Sequence, residues 1–97
     1  MKSKTYYFVG IGGIGMSAIA RYLKQTGNNI LGYDRTPTAL TEELVAEGMD
    51  IKYEDDPSHI ANRHIDMVIY TPAIGEDNRI LQYARENALV VKKRSEV

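Results

Sequence analysis

The sequence predicts an α/β fold: a doubly wound, parallel five-stranded sheet with helices on both faces. Three observations carry that expectation. Short apolar runs alternate along the chain with stretches whose apolar residues recur at helical spacing. A glycine-rich stretch, Gly10 to Gly15, lies where the first such run gives way to the first helical stretch. Met67 to Tyr70 is an unbroken apolar run, as expected for a central parallel strand buried on both faces.

Thr5 to Val9, rich in aromatic and β-branched residues and stopped by Gly10, is the first strand. A helix follows from about Ile14 to Gln25, with Ile14, Ala18 and Tyr22 along one row and Ile19 and Leu23 along the next. Arg21, Lys24 and Gln25 lie on its wetter part, and Gly27 stops it. Asn29 to Tyr33 is strand two. Thr36 then caps a second helix with Pro37 at its first position, where a missing N–H costs nothing. Leu40, Leu44 and Val45 face inward on that helix, Glu42, Glu43 and Glu47 face outward, and Gly48 ends it. Ile51 to Tyr53 is strand three, and Asp56-Pro57 opens a brief helical turn containing His59 and Ile60. After the fourth strand, Met67 to Tyr70, a helix runs from Asn78 to Asn87. Ile80, Leu81 and Ala84 lie on one side of it, Arg79, Arg85 and Glu86 on the other. Leu89 to Val91 is strand five. Each parallel return needs a crossover of a dozen or so residues, and these helices supply it.

Composition narrows the functional classes. At 97 residues, 43% apolar and 26% charged, residues 1–97 make one globular domain with no second core. Twelve basic residues against thirteen acidic ones leave a net charge of -1, so no basic surplus points to nucleic acid. No cysteine is present to build a disulfide framework, a thiolate metal site or a thiol nucleophile. His59 and His64 are too few for a metal cluster. No apolar stretch approaches the ~20 residues of a membrane span. Met1-Lys2-Ser3-Lys4 leads into a strand rather than a signal-peptide core. A soluble, cytoplasmic domain that meets neither membrane nor nucleic acid is expected. The chain stops at Lys93-Arg94-Ser95-Glu96-Val97, just past a strand where another connection would follow, and reads as a fragment of a longer protein.

Chemistry concentrates in Gly10-Ile11-Gly12-Gly13-Ile14-Gly15, a GxGxxG between a strand and a helix, the placement found in Rossmann-like domains. Gly10 permits a tight turn, Gly12 lets backbone approach a phosphate, and Gly15 lets the helix pack close to the sheet. Free N–H groups and the helix dipole then face an anion. A plain strand-to-helix turn is the alternative; a diphosphate-bearing ligand is the stronger reading. Asp34 follows strand two about 20 residues beyond the glycines, where dinucleotide folds place a ribose-binding acid; an Asx-turn leading into Arg35-Thr36-Pro37 is the other role open to it. Strands one and four flank the switch point of such a sheet, so Thr71 and the backbone around Ala73 could reach the same ligand. Asp77 or Asn78 is expected to cap the next helix. His59 and His64 read as solvated surface residues, and Glu54-Asp55-Asp56 as a solvated turn. Lys92-Lys93-Arg94 is either a solvated end or a phosphate contact.

Taken together, four ordered stretches resemble the muramyl ligases of bacterial peptidoglycan synthesis, specifically the members that add L-alanine to UDP-N-acetylmuramic acid. They are Tyr7 to Ser17, Gly32-Tyr33-Asp34, Tyr70-Thr71-Pro72-Ala73-Ile74 with Asp77-Asn78, and Lys93-Arg94-Ser95-Glu96. The doubled glycine followed by Met16 favours that branch over the murein-peptide and D-glutamate-adding ones. The resemblance implies the amino-terminal, UDP-binding domain of a three-domain enzyme. ATP with Mg2+ would phosphorylate the sugar's lactyl carboxylate. The amine of L-alanine would then displace phosphate to form an amide. It further implies that backbone at Gly12, Gly13, Ile14, Gly15, Met16 and Ser17 holds the diphosphate and Asp34 the uridine, with Gly10 also part of the UDP-sugar site. Thr71, Pro72, Ala73 and Ile74 would line the cleft, and Arg94 would reach in from the far side. No GxxxxGK[ST] phosphate loop occurs in the chain, so these residues alone are expected to hold no ATP or metal, to carry no catalytic group and to be inactive. Many members carry a histidine in the loop after strand three where Asp55 stands here, so that uridine contact does not carry over, and His59 is several positions too late to replace it. A nicotinamide-binding regulatory module or the NAD(P)-binding half of a dehydrogenase would use the same glycine loop.

Overall fold

The computed structural model describes residues 3–97, so the opening Met1-Lys2 lies outside the described residues. Five strands, β1 (Thr5–Val9), β2 (Asn29–Tyr33), β3 (Asp50–Lys52), β4 (Met67–Tyr70) and β5 (Val91–Lys93), pair in the order β3-β2-β1-β4-β5, every pair parallel. The crossovers are α1 (Met16–Gln25), α2 (Ala39–Ala46), the single turn α3 (Ser58–Ala61) and α4 (Arg79–Glu86). One 3-10 turn, Arg94–Glu96, follows β5. The chain winds one way from β1 through β2 to β3 and the other way through β4 to β5. The switch point therefore lies between β1 and β4, as expected.

Alternation along β1 sorts the core into two layers. Tyr7 and Val9 point to the face where Leu31, Tyr33, Val68 and Tyr70 meet Ile60, Ile80, Leu81 and Ala84. Phe8 points to the other, where Ile30, Ile51 and Ile69 meet Met16, Ala20 and Leu44. Tyr7, Phe8 and Val9 are all fully buried. Each such side chain contributes ~1.5–3 kcal/mol over its exposed state. No helix of the described residues is long and apolar enough to cross a membrane.

Several boundaries differ from expectation for identifiable reasons. α1 begins at Met16, because Gly15 at φ 83 is left-handed and cannot be helical. The buried row is therefore Met16 and Ala20, with Ile14 at 97% and Tyr22 at 66% exposure. α2 is capped by Thr38, not Thr36. The Thr38 hydroxyl accepts from the Thr41 amide at 3.1 Å while Thr41 Oγ1 accepts from the Thr38 amide at 2.8 Å. Pro37 thus sits outside the helix, and Val45 is exposed rather than inward. β3 starts one residue early, at Asp50, opposite Leu31. β5 starts two residues late, because Ala88 at φ 58 and a Leu89 N–H to Ala84 carbonyl bond of 3.0 Å close the end of α4.

His59 is the largest correction. It is buried, not solvated, because α3 turns it onto the sheet beneath Tyr7. The rings meet edge to face at 5.1 Å, and the Tyr7 hydroxyl lies 2.7 Å from His59 Nδ1. Burial, with Asp50 adding to it, pushes the Tyr7 phenol well above its usual range, so it stays protonated and donates. The imidazole proton then sits on Nε2, which is buried with no hydrogen-bond partner and lies 3.6 Å from Asp50 Oδ2. His64 is exposed as expected, beside Asp66 at 2.9 Å.

Burial lowers the His59 pKa and outweighs the attraction of Asp50, while Arg63 and Lys52 push the same way as burial. The unfolded chain therefore takes up this proton at a higher pH than the folded one. The contribution is complete above the ordinary histidine value of about 6.5 and is lost as pH falls below it. Urea unfolding should show the midpoint dropping as pH is lowered from ~7 to ~5, with part of that slope absent in His59→Gln. An identical slope in the variant would exclude His59 as its source.

Candidate functional site

Most amides of the glycine loop are already engaged. Gly10 and Ile11 N–H both donate to the Tyr33 carbonyl, at 2.8 and 3.0 Å, which turns the chain sharply out of β1. Gly13 N–H donates to Gly10 O at 2.9 Å, Met16 N–H to Gly13 O at 3.1 Å, and Gly12 N–H to Asp34 Oδ2 at 2.8 Å. What remains are the amides of Ile14, Gly15, Ser17 and Ala18, which meet no acceptor among the described residues. Gly15 caps α1 with no side-chain hydrogen bond, so the positive end of the helix opens outward.

Two other segments pack against this loop. Thr71 and Ile74 pack on Gly10 so closely that a Cβ there would lie 2.7 Å from Thr71 Cγ2 and 3.3 Å from Ile74 Cγ1. Pro72 and Ala73 form the exposed tip of the same loop. Arg94, carried past β5 by the 3-10 turn, reaches over Gly15, where a Cβ would lie 2.7 Å from its Nη1. An exposed cation thus stands beside four free donors. The glycine roles change accordingly. Gly12 makes room for the Asp34 carboxylate, 2.8 Å from where its Cβ would be, and Gly15 supplies a left-handed cap and room for Arg94. Asp34 holds the loop with Oδ2 and forms an Asx-turn with Oδ1, which accepts from Thr36 N–H at 3.1 Å.

The other helices that start at the carboxyl edge of the sheet are closed. α2 has its capping box. At α4, Asn78 Oδ1 accepts from Leu81 N–H at 2.9 Å, while Asp55 accepts from Arg79 N–H at 2.8 Å and Ile80 N–H at 3.0 Å. Asn78 rather than Asp77 is therefore the local cap. The acidic run after β3 is exposed at Glu54 and Asp56 as expected, but two of its carboxylates also cap helices: Asp55 seals α4, and Asp56 Oδ1 accepts from Ser58 N–H at 2.9 Å at the start of α3. Asp55 stands more than twenty residues from the helix it caps, so no local sequence signal could have assigned it. Among the described residues no group of three His, Cys, Asp or Glu could hold a metal ion.

Among the described residues this is a doubly wound parallel domain whose first helix opens its amino end, without a side-chain cap, at the switch point, an arrangement shared with nucleotide-binding domains. The chain belongs to the Mur ligase family: residues 5–97 match that family's catalytic domain. It is 45% identical over 98 aligned residues to the UDP-N-acetylmuramate–L-alanine ligase of Porphyromonas gingivalis, covering 97% of this chain and 22% of the relative. It is 47% identical to the enzyme of the same name from Flavobacterium johnsoniae, covering 94% of this chain and 21% of that one. The crystal structure of the UDP-N-acetylmuramate-alanine ligase of Thermotoga maritima superimposes with a TM-score of 0.87 at 34% identity, over 95% of this chain and 21% of that one. The chain thus spans about a fifth of the length of these relatives. Family membership does not favour the nicotinamide-module reading.

Asp55→Ala should lower stability by ~1–2 kcal/mol in urea unfolding, since two helix-terminal amides lose a charged acceptor. Hydrogen exchange at Arg79 and Ile80 should quicken in parallel; unchanged exchange at both would show that the cap contributes nothing.

Proposed function

We propose that this chain is the UDP-sugar-binding domain of an ATP-dependent ligase that joins L-alanine to UDP-N-acetylmuramic acid. The observation that carries the reading is the set of free amides at Ile14, Gly15, Ser17 and Ala18 beneath the Arg94 guanidinium. A diphosphate supplies several acceptor oxygens and two or more negative charges, which suits four converging donors, a helix dipole and one cation. The near-neutral chain has no general basic surface, so affinity comes from these few groups. Gly10, Gly12, Gly13 and Met16 shape the cradle through their internal hydrogen bonds. The nucleoside lies toward Asp34, and Thr71, Pro72, Ala73 and Ile74 form the wall on the β4 side.

The relatives' names support the choice of sugar nucleotide and amino acid. In the whole enzyme ATP would convert the lactyl carboxylate into an acyl phosphate, releasing ADP. The alanine amine would then displace inorganic phosphate. Neither ATP nor Mg2+ fits the residues described: no phosphate loop occurs in the sequence and no ligand cluster is assembled. Within this chain the task is binding and orientation only.

Titration with UDP-N-acetylmuramic acid or UDP should shift the amide resonances of Ile14, Gly15, Ser17 and Ala18, and NADH should not. Arg94→Ala should weaken UDP about tenfold or more, the loss of one charged hydrogen bond. Shifts produced by NADH alone would replace this reading with the dinucleotide one.

A further inference from the structure

In a dinucleotide site the second glycine faces the phosphates and the acid after the second strand takes the ribose diol. Here both groups are engaged by the protein's own backbone and carboxylate. Gly12 N–H donates to Asp34 Oδ2 at 2.8 Å, and Asp34 Oδ1 accepts from Thr36 N–H at 3.1 Å. Gly12 has no room for a side chain because the carboxylate fills that space, with Thr41 Cγ2 behind it at 3.1 Å. Each oxygen of Asp34 has thus given a lone pair to the protein's own backbone.

We infer that Asp34 is a positioning residue: it acts on the ligand's diphosphate through Gly12, by holding the glycine loop so that the Ile14, Gly15, Ser17 and Ala18 amides converge. The inference rests on the anion-site reading above and deepens it. Asp34 anchors the middle of the loop from β2, while the Tyr33 carbonyl anchors its start through Gly10 and Ile11. The two anchors are adjacent residues, so the end of β2 sets the position of the whole loop relative to α1. Coulomb's law alone makes a carboxylate near the cradle unfavourable for an anion. Its removal should therefore strengthen phosphate binding unless it works through the loop, and this opposition of signs makes the idea testable.

The test compares inorganic pyrophosphate, which has no nucleoside, with UDP by calorimetry on the wild-type chain, Asp34→Ala and Asp34→Asn. Asp34→Ala should weaken both ligands by the same factor, about tenfold, despite the lost negative charge. Asp34→Asn keeps an acceptor for Gly12 N–H and should restore most of the affinity for both. In ligand-free spectra, Asp34→Ala should move the amide resonances from Gly12 to Ala18 and leave those of β4 and α4 in place. If Asp34→Ala leaves pyrophosphate unchanged or tighter while UDP weakens, the residue is a nucleoside contact and the inference falls. If ligand-free shifts are confined to Gly12, it falls as well. Wild-type chain that binds neither ligand would refute the anion-site reading instead, and the ligand-free spectra would still decide whether Asp34 sets the loop. Should Asp34→Ala fail to fold, the Asp34→Asn ratio of UDP to pyrophosphate affinity decides, being unchanged for a positioning role and lowered for a nucleoside contact.

Discussion

β1 is paired on both edges, to β2 and to β4, and every side chain of its second half is buried; the rest of the molecule is arranged around that constraint. A strand so enclosed can leave the sheet only at its carboxyl end, and the chain must turn at once to begin a helix. The Tyr33 carbonyl accepts both Gly10 and Ile11 amides at that corner, which ties the turn to the neighbouring strand. From this corner the glycine loop, the opening of α1 and the packing of Thr71 and Ile74 all take their positions.

Three long helices begin along that same edge, and they differ in what satisfies their first amides. α2 uses its own threonines, and α4 uses Asn78 together with a carboxylate from a distant loop. α1 uses nothing, and Gly15 in its left-handed cap has no side chain with which to close it. The difference between the three is which helix end the protein declines to cap. The physical chemistry is common to all three: orphan amides and a dipole that attract negative charge. Asp55 at α4 shows the attraction satisfied internally, and α1 shows it left available.

Much of this was legible in the sequence. Strand positions β1, β2 and β4 followed from apolar runs, because a strand buried on two faces has no alternation to obscure it. The glycine spacing placed the loop, and parallel topology placed β1 beside β4. Errors gathered where one residue serves two signals. Thr36 and Thr38 are both good caps, and only the reciprocal bond with Thr41 selects the second. Ile14 fits a helical row by spacing but stands in the loop, because Gly15 cannot be helical. His59 is a polar residue on a single helical turn, where no periodicity exists to say which way it faces; its partner Tyr7 is fifty-two residues away.

The sequence by itself determined the fold class, the location of the glycine loop and, through its ordered motifs, the family. These are written in local patterns of spacing, turn-forming glycines and apolar runs, which read the same whatever surrounds them. Only the tertiary structure decided which amides stay free, that Arg94 lies over Gly15, that Asp34 grips Gly12, that Asp55 caps a distant helix, and that His59 is buried against Tyr7. Each of these is a meeting between residues distant in sequence. A carboxylate or an imidazole carries no local mark of the partner it will find, because the free energy of such a contact exists only once the chain has brought both groups out of water and together.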